Sequence, residues 1–124
     1  MSALVLDTGA LVAVDRAIAA KLRIAERSGL ELRSTGVVIA EVWRDARGRQ
    51  ASLARLLKSI DVRPVDERLG REAGVLLGKA KATDATDATV VAIVATGDLI
   101  LTSDPDDIRK LTTAAGRSIR VVAC

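Results

Sequence analysis

Short apolar runs alternate with longer stretches of helical spacing along the whole chain. Ala3–Leu6, Glu31–Ser34, Asp61–Val65, Leu99–Thr102 and Ile119–Val122 have the length and boundaries of strands. Between the first two, Leu11–Arg27 has helical period, with Ile18, Leu22 and Ala25 on one side and Gly29 as a stop. Val37–Arg47 and Ala51–Ser59 read as the next helices, and Leu53, Leu56, Leu57 and Ile60 form the apolar stripe of the second. Asp66 is the expected N-cap of Glu67–Lys81, and Thr86 or Asp87 that of Ala88–Ala95; Gly97 ends that helix and Pro105 opens Asp106–Ala114. Strands that alternate with helices predict an α/β fold, with a central, mainly parallel five-stranded sheet covered on both faces. The pattern contains no repeat and no linker, so one domain over residues 1–124 is expected.

Four acids interrupt the apolar runs. Asp7 closes Ala3-Leu4-Val5-Leu6, and Glu41 lies within Val37-Val38-Ile39-Ala40-Glu41-Val42-Trp43. Asp87 opens Ala88–Val94, and Asp104 follows Leu99–Ser103. A carboxylate among buried neighbours is costly unless it is paired, hydrogen-bonded or bound to a metal. In an open α/β sheet, ligands bind beyond the carboxyl ends of the strands. Asp7 and Asp104 both follow strands, so adjacency of the first and fourth strands would set them side by side, within reach of Glu41 and Asp87 on flanking helices. One acidic pocket built around divalent cations is the expectation.

Composition narrows the chemistry. No histidine is present, which excludes histidine-based acid–base catalysis and disfavours zinc; carboxylates are hard ligands suited to Mg²⁺ or Mn²⁺. Two like charges about 4 Å apart repel by roughly 4 kcal/mol at an effective dielectric near 20. Converging carboxylates therefore bind cations or hold protons through raised pKa values. Aromatic content is 1%, with Trp43 alone, so base stacking is nearly unavailable and phosphate contacts would have to dominate any nucleic-acid binding. Net charge is +3, with Arg44, Arg47, Arg49, Arg55 and Lys58 clustered and Arg63, Arg68 and Arg71 in a looser group. A basic exterior around an acidic pocket suits a phosphodiester substrate, although each arginine alone reads equally as a solvated helix face. Cys124 is the one cysteine, so no intramolecular disulfide can form. Asp7 breaks the N-terminal apolar stretch, no basic n-region precedes it, and no apolar run reaches about 20 residues. A cytoplasmic protein is expected.

Leu4-Val5-Leu6-Asp7-Thr8-Gly9-Ala10-Leu11 resembles the opening motif of PIN-domain nucleases, an Asp and a small hydroxyl residue at the end of the first strand. Glu41 resembles their second acid, Asp87-Ala88-Thr89-Val90-Val91-Ala92 their third motif, and Leu101-Thr102-Ser103-Asp104-Pro105-Asp106-Asp107-Ile108 their fourth. The order holds over essentially the whole chain, and the compact size is most similar to the VapC toxins of type II (VapBC) toxin–antitoxin pairs. Ile108 departs from the pattern where many relatives carry an aromatic, and the extra acids Asp84, Asp106 and Asp107 leave the fourth ligand open. The resemblance implies a PIN-like α/β/α sandwich and a Mg²⁺- or Mn²⁺-dependent endoribonuclease whose catalytic and metal-ligating residues are Asp7, Glu41, Asp87 and Asp104. It also implies products with 5′-phosphate and 3′-hydroxyl ends, a homodimer, and a cognate VapB-type antitoxin.

Plainer roles exist for each acid. Asp7 could cap a helix beginning near Gly9, Glu41 could pair with Arg44, and Asp87 and Asp104 could be N-caps. Thr8, Thr102 or Ser103 could orient a ligand or water. A catalytically silent RNA- or partner-binding module is the alternative on the same fold. A phospho-acceptor receiver domain would need paired acids at the first strand, an Asp ending the third and a Lys ending the fifth, none of which is present. An Asp-nucleophile phosphotransfer hydrolase would want an acid at position 9, where the chain has Gly9.

Overall fold

The computed structural model describes residues 2–12, 16–44 and 50–124. Five strands, β1 (Ala3–Leu6), β2 (Glu31–Thr35), β3 (Ile60–Arg63), β4 (Leu99–Thr102) and β5 (Arg120–Ala123), form one sheet in the order β3-β2-β1-β4-β5. All four pairings are parallel. The helices are α1 (Thr8–Val12), α2 (Arg16–Arg27), α3 (Gly36–Val42), α4 (Ala51–Leu57), α5 (Glu67–Ala80), α6 (Ala85–Ile93) and α7 (Pro105–Ala115).

Burial explains the strand order. All four residues of β1 are buried, as a central parallel strand covered on both faces requires. In β3, at one edge, only Ile60 is buried and charged Asp61 and Arg63 face outward, which blunts pairing with another chain. Helix α6 is apolar on every side, with Thr86 through Ala92 all buried, because it lies between α5, α7, α3 and β2. Leu6, Leu11, Leu22, Ile100, Ile108 and Leu111 are among the fully buried large side chains. Ile108 thus fills the core, where an aromatic side chain would require repacking.

The expected strands and helices are all found, with shifted bounds. The helix expected over Leu11–Arg27 begins earlier, at Thr8, because Asp7 caps it; its described parts are α1 and α2, and residues 13–15 lie outside the described residues. The helix expected to run to Arg47 has Trp43 as its C-cap, whose N–H bonds the Ile39 carbonyl, and Arg47 and Arg49 lie outside the described residues. Trp43 is 38% exposed. The N-cap of α6 is neither Thr86 nor Asp87 but Asp84, whose side chain accepts from the Asp87 N–H at 3.0 Å. Among the described residues, no helix is long and apolar enough to cross a membrane.

A buried acid missed by the pattern sits at the other end of the sheet. Asp98, 3% exposed, accepts hydrogen bonds from the Ala3 N–H at 2.9 Å and the Ala95 N–H at 2.8 Å. It ties the start of β1 to the turn before β4, and two backbone donors offset the cost of burying it. Asp98→Ala strands both donors and is expected to cost about 2–4 kcal/mol in urea denaturation. Because Asp98 is remote from the acids that follow β1 and β4, the same variant should keep the wild-type response to divalent cations.

Candidate metal centre

The strand order reverses about β1. Strands β2 and β3 lie on one side of it, β4 and β5 on the other. Such a switch point opens a crevice beyond the carboxyl ends of β1 and β4. Leu6 pairs with Leu101, and the Asp7 N–H extends the ladder to the Leu101 carbonyl at 3.2 Å. The Thr102 hydroxyl then donates to Asp7 Oδ2, while Asp7 Oδ1 accepts from the Ala10 N–H at 3.1 Å. Asp7 is therefore both the cap of α1 and a buried carboxylate at the crevice. Burial pushes its carboxyl above the usual range, hydrogen bonds from Thr102, Ala10 and Gly9 pull it back, and the Asp84 charge pushes further up.

Asp87, Asp104 and Asp107 come together at this rim, with one carboxylate oxygen of each within 4.8 Å of the others. Because Asp84 caps α6, the Asp87 carboxylate in the first turn is left for the crevice. Nothing among the described residues donates a hydrogen bond to it. Asp104 precedes α7 and its backbone N–H bonds Thr102 Oγ1 at 2.9 Å, but its side chain makes no cap bond. Asp107 is one turn into α7, and Asp106 turns away to Arg109 at 3.5 Å. Among the candidates for the fourth position in this segment, Asp104, the expected ligand, and Asp107 reach the group, and Asp106 does not.

Glu41 reaches the same rim by another route. Its Oε1 accepts from the Thr86 hydroxyl and its Oε2 from the Thr8 hydroxyl at 3.1 Å, so it sits beside the neighbours of both Asp87 and Asp7. It does not pair with Arg44, whose guanidinium caps the end of α3 through the Ala40 and Trp43 carbonyls. The expectation of four buried acids holds for Asp7 and Asp87; Glu41 and Asp104 are exposed. Thr86 is the further contributor missed by the sequence reading, its signal being only a hydroxyl one residue before an expected ligand.

The group fits a hard divalent cation. Burial first, then the charges of Asp84, Asp7, Asp104 and Asp107, raise the Asp87 carboxyl from 3.8 to about 7. A hydrogen bond shared with Asp107, followed by slight desolvation and the charges of Asp107, Asp106 and Asp7, raises Asp104. No basic side chain relieves this: the ion pairs among the described residues are at Arg33, Arg63, Arg68, Arg71 and Arg109, none of them to Asp7, Asp84, Asp87, Asp104 or Asp107. Oxygen donors with unneutralised charge and spare lone pairs are what such a cation requires.

A search of solved structures finds this architecture in a chain of the crystal structure of VapBC2 from Rickettsia felis bound to a DNA fragment from their promoter. The TM-score is 0.68 at 11% sequence identity, with 98% of each chain covered. The fold is PIN-like. That likeness speaks for architecture, and the sheet order and all-parallel pairing carry it. No protein-family model matches the sequence, and no curated protein does.

Gly9 sets how closely the two strand ends approach. A Cβ at this position would fall 1.8 Å from Ser103 Oγ and 2.6 Å from Ser103 Cβ, so α1 lies directly on the turn that carries Asp104. A carboxylate at position 9 has no room, which removes the Asp-nucleophile reading on geometry as well as on sequence. Gly9→Ala is expected to cost about 1–3 kcal/mol through overpacking, with Ser103→Gly in the same chain recovering most of it in a double-mutant cycle.

The raised carboxyls also set a pH dependence. Between pH 4 and 7 the folded state holds protons at Asp87 that the unfolded chain has released, so stability falls as pH rises through that window. In EDTA, the protein should lose on the order of 2 kcal/mol between pH 5 and pH 8. Asp87→Asn should remove most of that slope in urea denaturation at the two pH values.

Proposed function

We propose that the protein is the toxin of a type II toxin–antitoxin pair, acting as a single-domain, Mg²⁺- or Mn²⁺-dependent endoribonuclease. The convergence of Asp87, Asp104 and Asp107 at the switch point of a PIN-like sheet, with no ion pair to them among the described residues, is the observation that carries this reading. The likeness in architecture to a chain from a VapBC complex supports the toxin assignment, and with it a VapB-type antitoxin partner; a homodimer is part of the same proposal.

On this reading Asp87 and Asp104 hold the principal cation together with Asp107, and Asp7 adds its charge from beneath while fixed by Thr102. A bound divalent ion supplies Lewis acidity, lowering the pKa of water and stabilising charge that develops on the phosphate. Glu41, held by Thr8 and Thr86 outside the group of three, orients the attacking water and accepts its proton. The chain offers no histidine for that task. Because Asp7 also caps α1, Asp7→Asn perturbs fold and site together, and Asp87→Asn is the cleaner probe.

The expected result is Mg²⁺- or Mn²⁺-dependent cleavage of RNA by the purified protein, abolished by EDTA and lowered at least about a hundredfold by Asp87→Asn. Divalent cation at a hundred times its Kd should stabilise the wild type by about 2.7 kcal/mol and the variant by much less. Cleavage that survives EDTA, or that Asp87→Asn leaves unchanged, overturns the assignment.

A further inference from the structure

The acidic group opens into a cavity of about 220 Å³ between the end of α5, the start of α6 and α7. Asp84, Asp87 and Asp107 line it, and so do Lys81 and Lys110, with Leu111 as an apolar contribution. Although these carboxylates share the cavity, neither lysine forms an ion pair among the described residues. The basic residues that the sequence made prominent behave differently. Arg63 is paired with Asp61, Arg68 with Glu72 and Arg71 with Glu67 on the surface.

Lys81 has a second peculiarity. It ends α5 in the left-handed conformation, at φ 53° and ψ 44°, and is the one described non-glycine residue with positive φ. Gly29, Gly97 and Gly116 take the other positive-φ positions. A side chain there raises the backbone energy, so glycine would make the more stable cap. The chain keeps a lysine at a conformational cost, and that lysine borders the acidic centre. Strain retained beside a site marks a residue used for something other than stability.

An acidic centre repels a polyanion. A bound cation offsets this only at the phosphate it touches, and the next phosphate along a strand still meets Asp84, Asp87 and Asp107. A lysine ammonium is a compact point charge suited to that phosphate. We propose that Lys81 and Lys110 form a phosphate subsite for the RNA strand, holding a backbone phosphate adjacent to the one presented to Asp87, Asp104 and Asp107. This subsite rests on the ribonuclease reading and extends it to how the strand is threaded, along the α5–α7 side of the rim.

The test compares wild type with Lys81→Gly/Lys110→Gln. Binding of a fluorescent single-stranded oligoribonucleotide is measured by anisotropy in Ca²⁺ across a NaCl series. Mg²⁺ affinity is followed by thermal shift, and cleavage by gel in Mg²⁺. The double variant should bind RNA at least about fivefold more weakly, with the slope of log K against log salt reduced by about 0.7 for the one lost phosphate. Its Mg²⁺ affinity should hold or rise, since two nearby positive charges are gone, and Lys81→Gly alone should raise Tm by about 3 °C. Unchanged RNA affinity and salt slope overturn the subsite while leaving the ribonuclease reading intact. Equal weakening of RNA and Mg²⁺ binding overturns it too, as general damage to the centre. Absence of wild-type cleavage in Mg²⁺ overturns the ribonuclease reading and the subsite with it.

Discussion

The parallel pairing of β1 with β4 is the constraint on which everything else depends. It joins segments 95 residues apart, and the hydrogen bond from Thr102 to Asp7 lies at the end of that ladder. Such a long closure is entropically costly, and burial of Leu4, Val5, Leu6, Ile100 and Leu101 offsets it at roughly 1.5–3 kcal/mol for each large side chain. Once the two strands are in register, Asp7 and the turn carrying Asp104 have no freedom to part. Gly9 then allows α1 to lie against Ser103, so the crevice forms without a gap between its two walls.

Hydrogen-bond accounting divides the acids by role more clearly than burial does. Asp66 and Asp84 each spend one carboxylate oxygen on a backbone N–H, and Asp98 both of its oxygens, and all three are capping or tying residues. Asp7 does the same through Ala10, yet it also faces the crevice, so one side chain serves fold and site together. Asp87, Asp104 and Asp107 accept no backbone donor among the described residues. Beyond the hydrogen bond that Asp104 and Asp107 share, their lone pairs remain uncommitted, and it is uncommitted oxygen, not burial, that distinguishes a candidate ligand from a cap.

The alternation of apolar runs and helical periods was enough to foresee the parallel sheet, because each element carries its own period and its own stop residues. The adjacency of β1 and β4 made Asp7 and Asp104 legible as a pair. What stayed hidden depends on the third dimension or on a choice between neighbours. Asp84 and Asp87 stand three residues apart and either could cap α6; only the helix start at Ala85 decides it. Glu41 looked buried because its sequence neighbours are apolar, but a helix turns successive residues to different faces, and this one faces Thr8 and Thr86. Arg63, Arg68 and Arg71 drew attention by clustering, yet their ion pairs are local and readable at i,i+4 spacing for two of them. Lys81 and Lys110 carried no signal at all, since nothing in the chain marks two lysines 29 positions apart as lining one cavity.

On the proposed reading, a proton and a divalent cation would compete for the same oxygens at this rim. Were the Asp87 carboxyl at its ordinary 3.8, the group would stand fully charged at neutral pH, with its repulsion borne by the fold. Raised to about 7, it relieves that repulsion by holding a proton, which a bound cation would displace on the proposed reading. The crowding of Asp7, Asp84, Asp104 and Asp107 around Asp87 therefore favours the protonated carboxyl, and on the proposed reading a divalent cation would relieve the same crowding. An ion pair from lysine or arginine would have neutralised the centre permanently and destroyed that exchange. Basic side chains stand at the cavity wall without closing on the carboxylates, and that arrangement keeps the oxygens available.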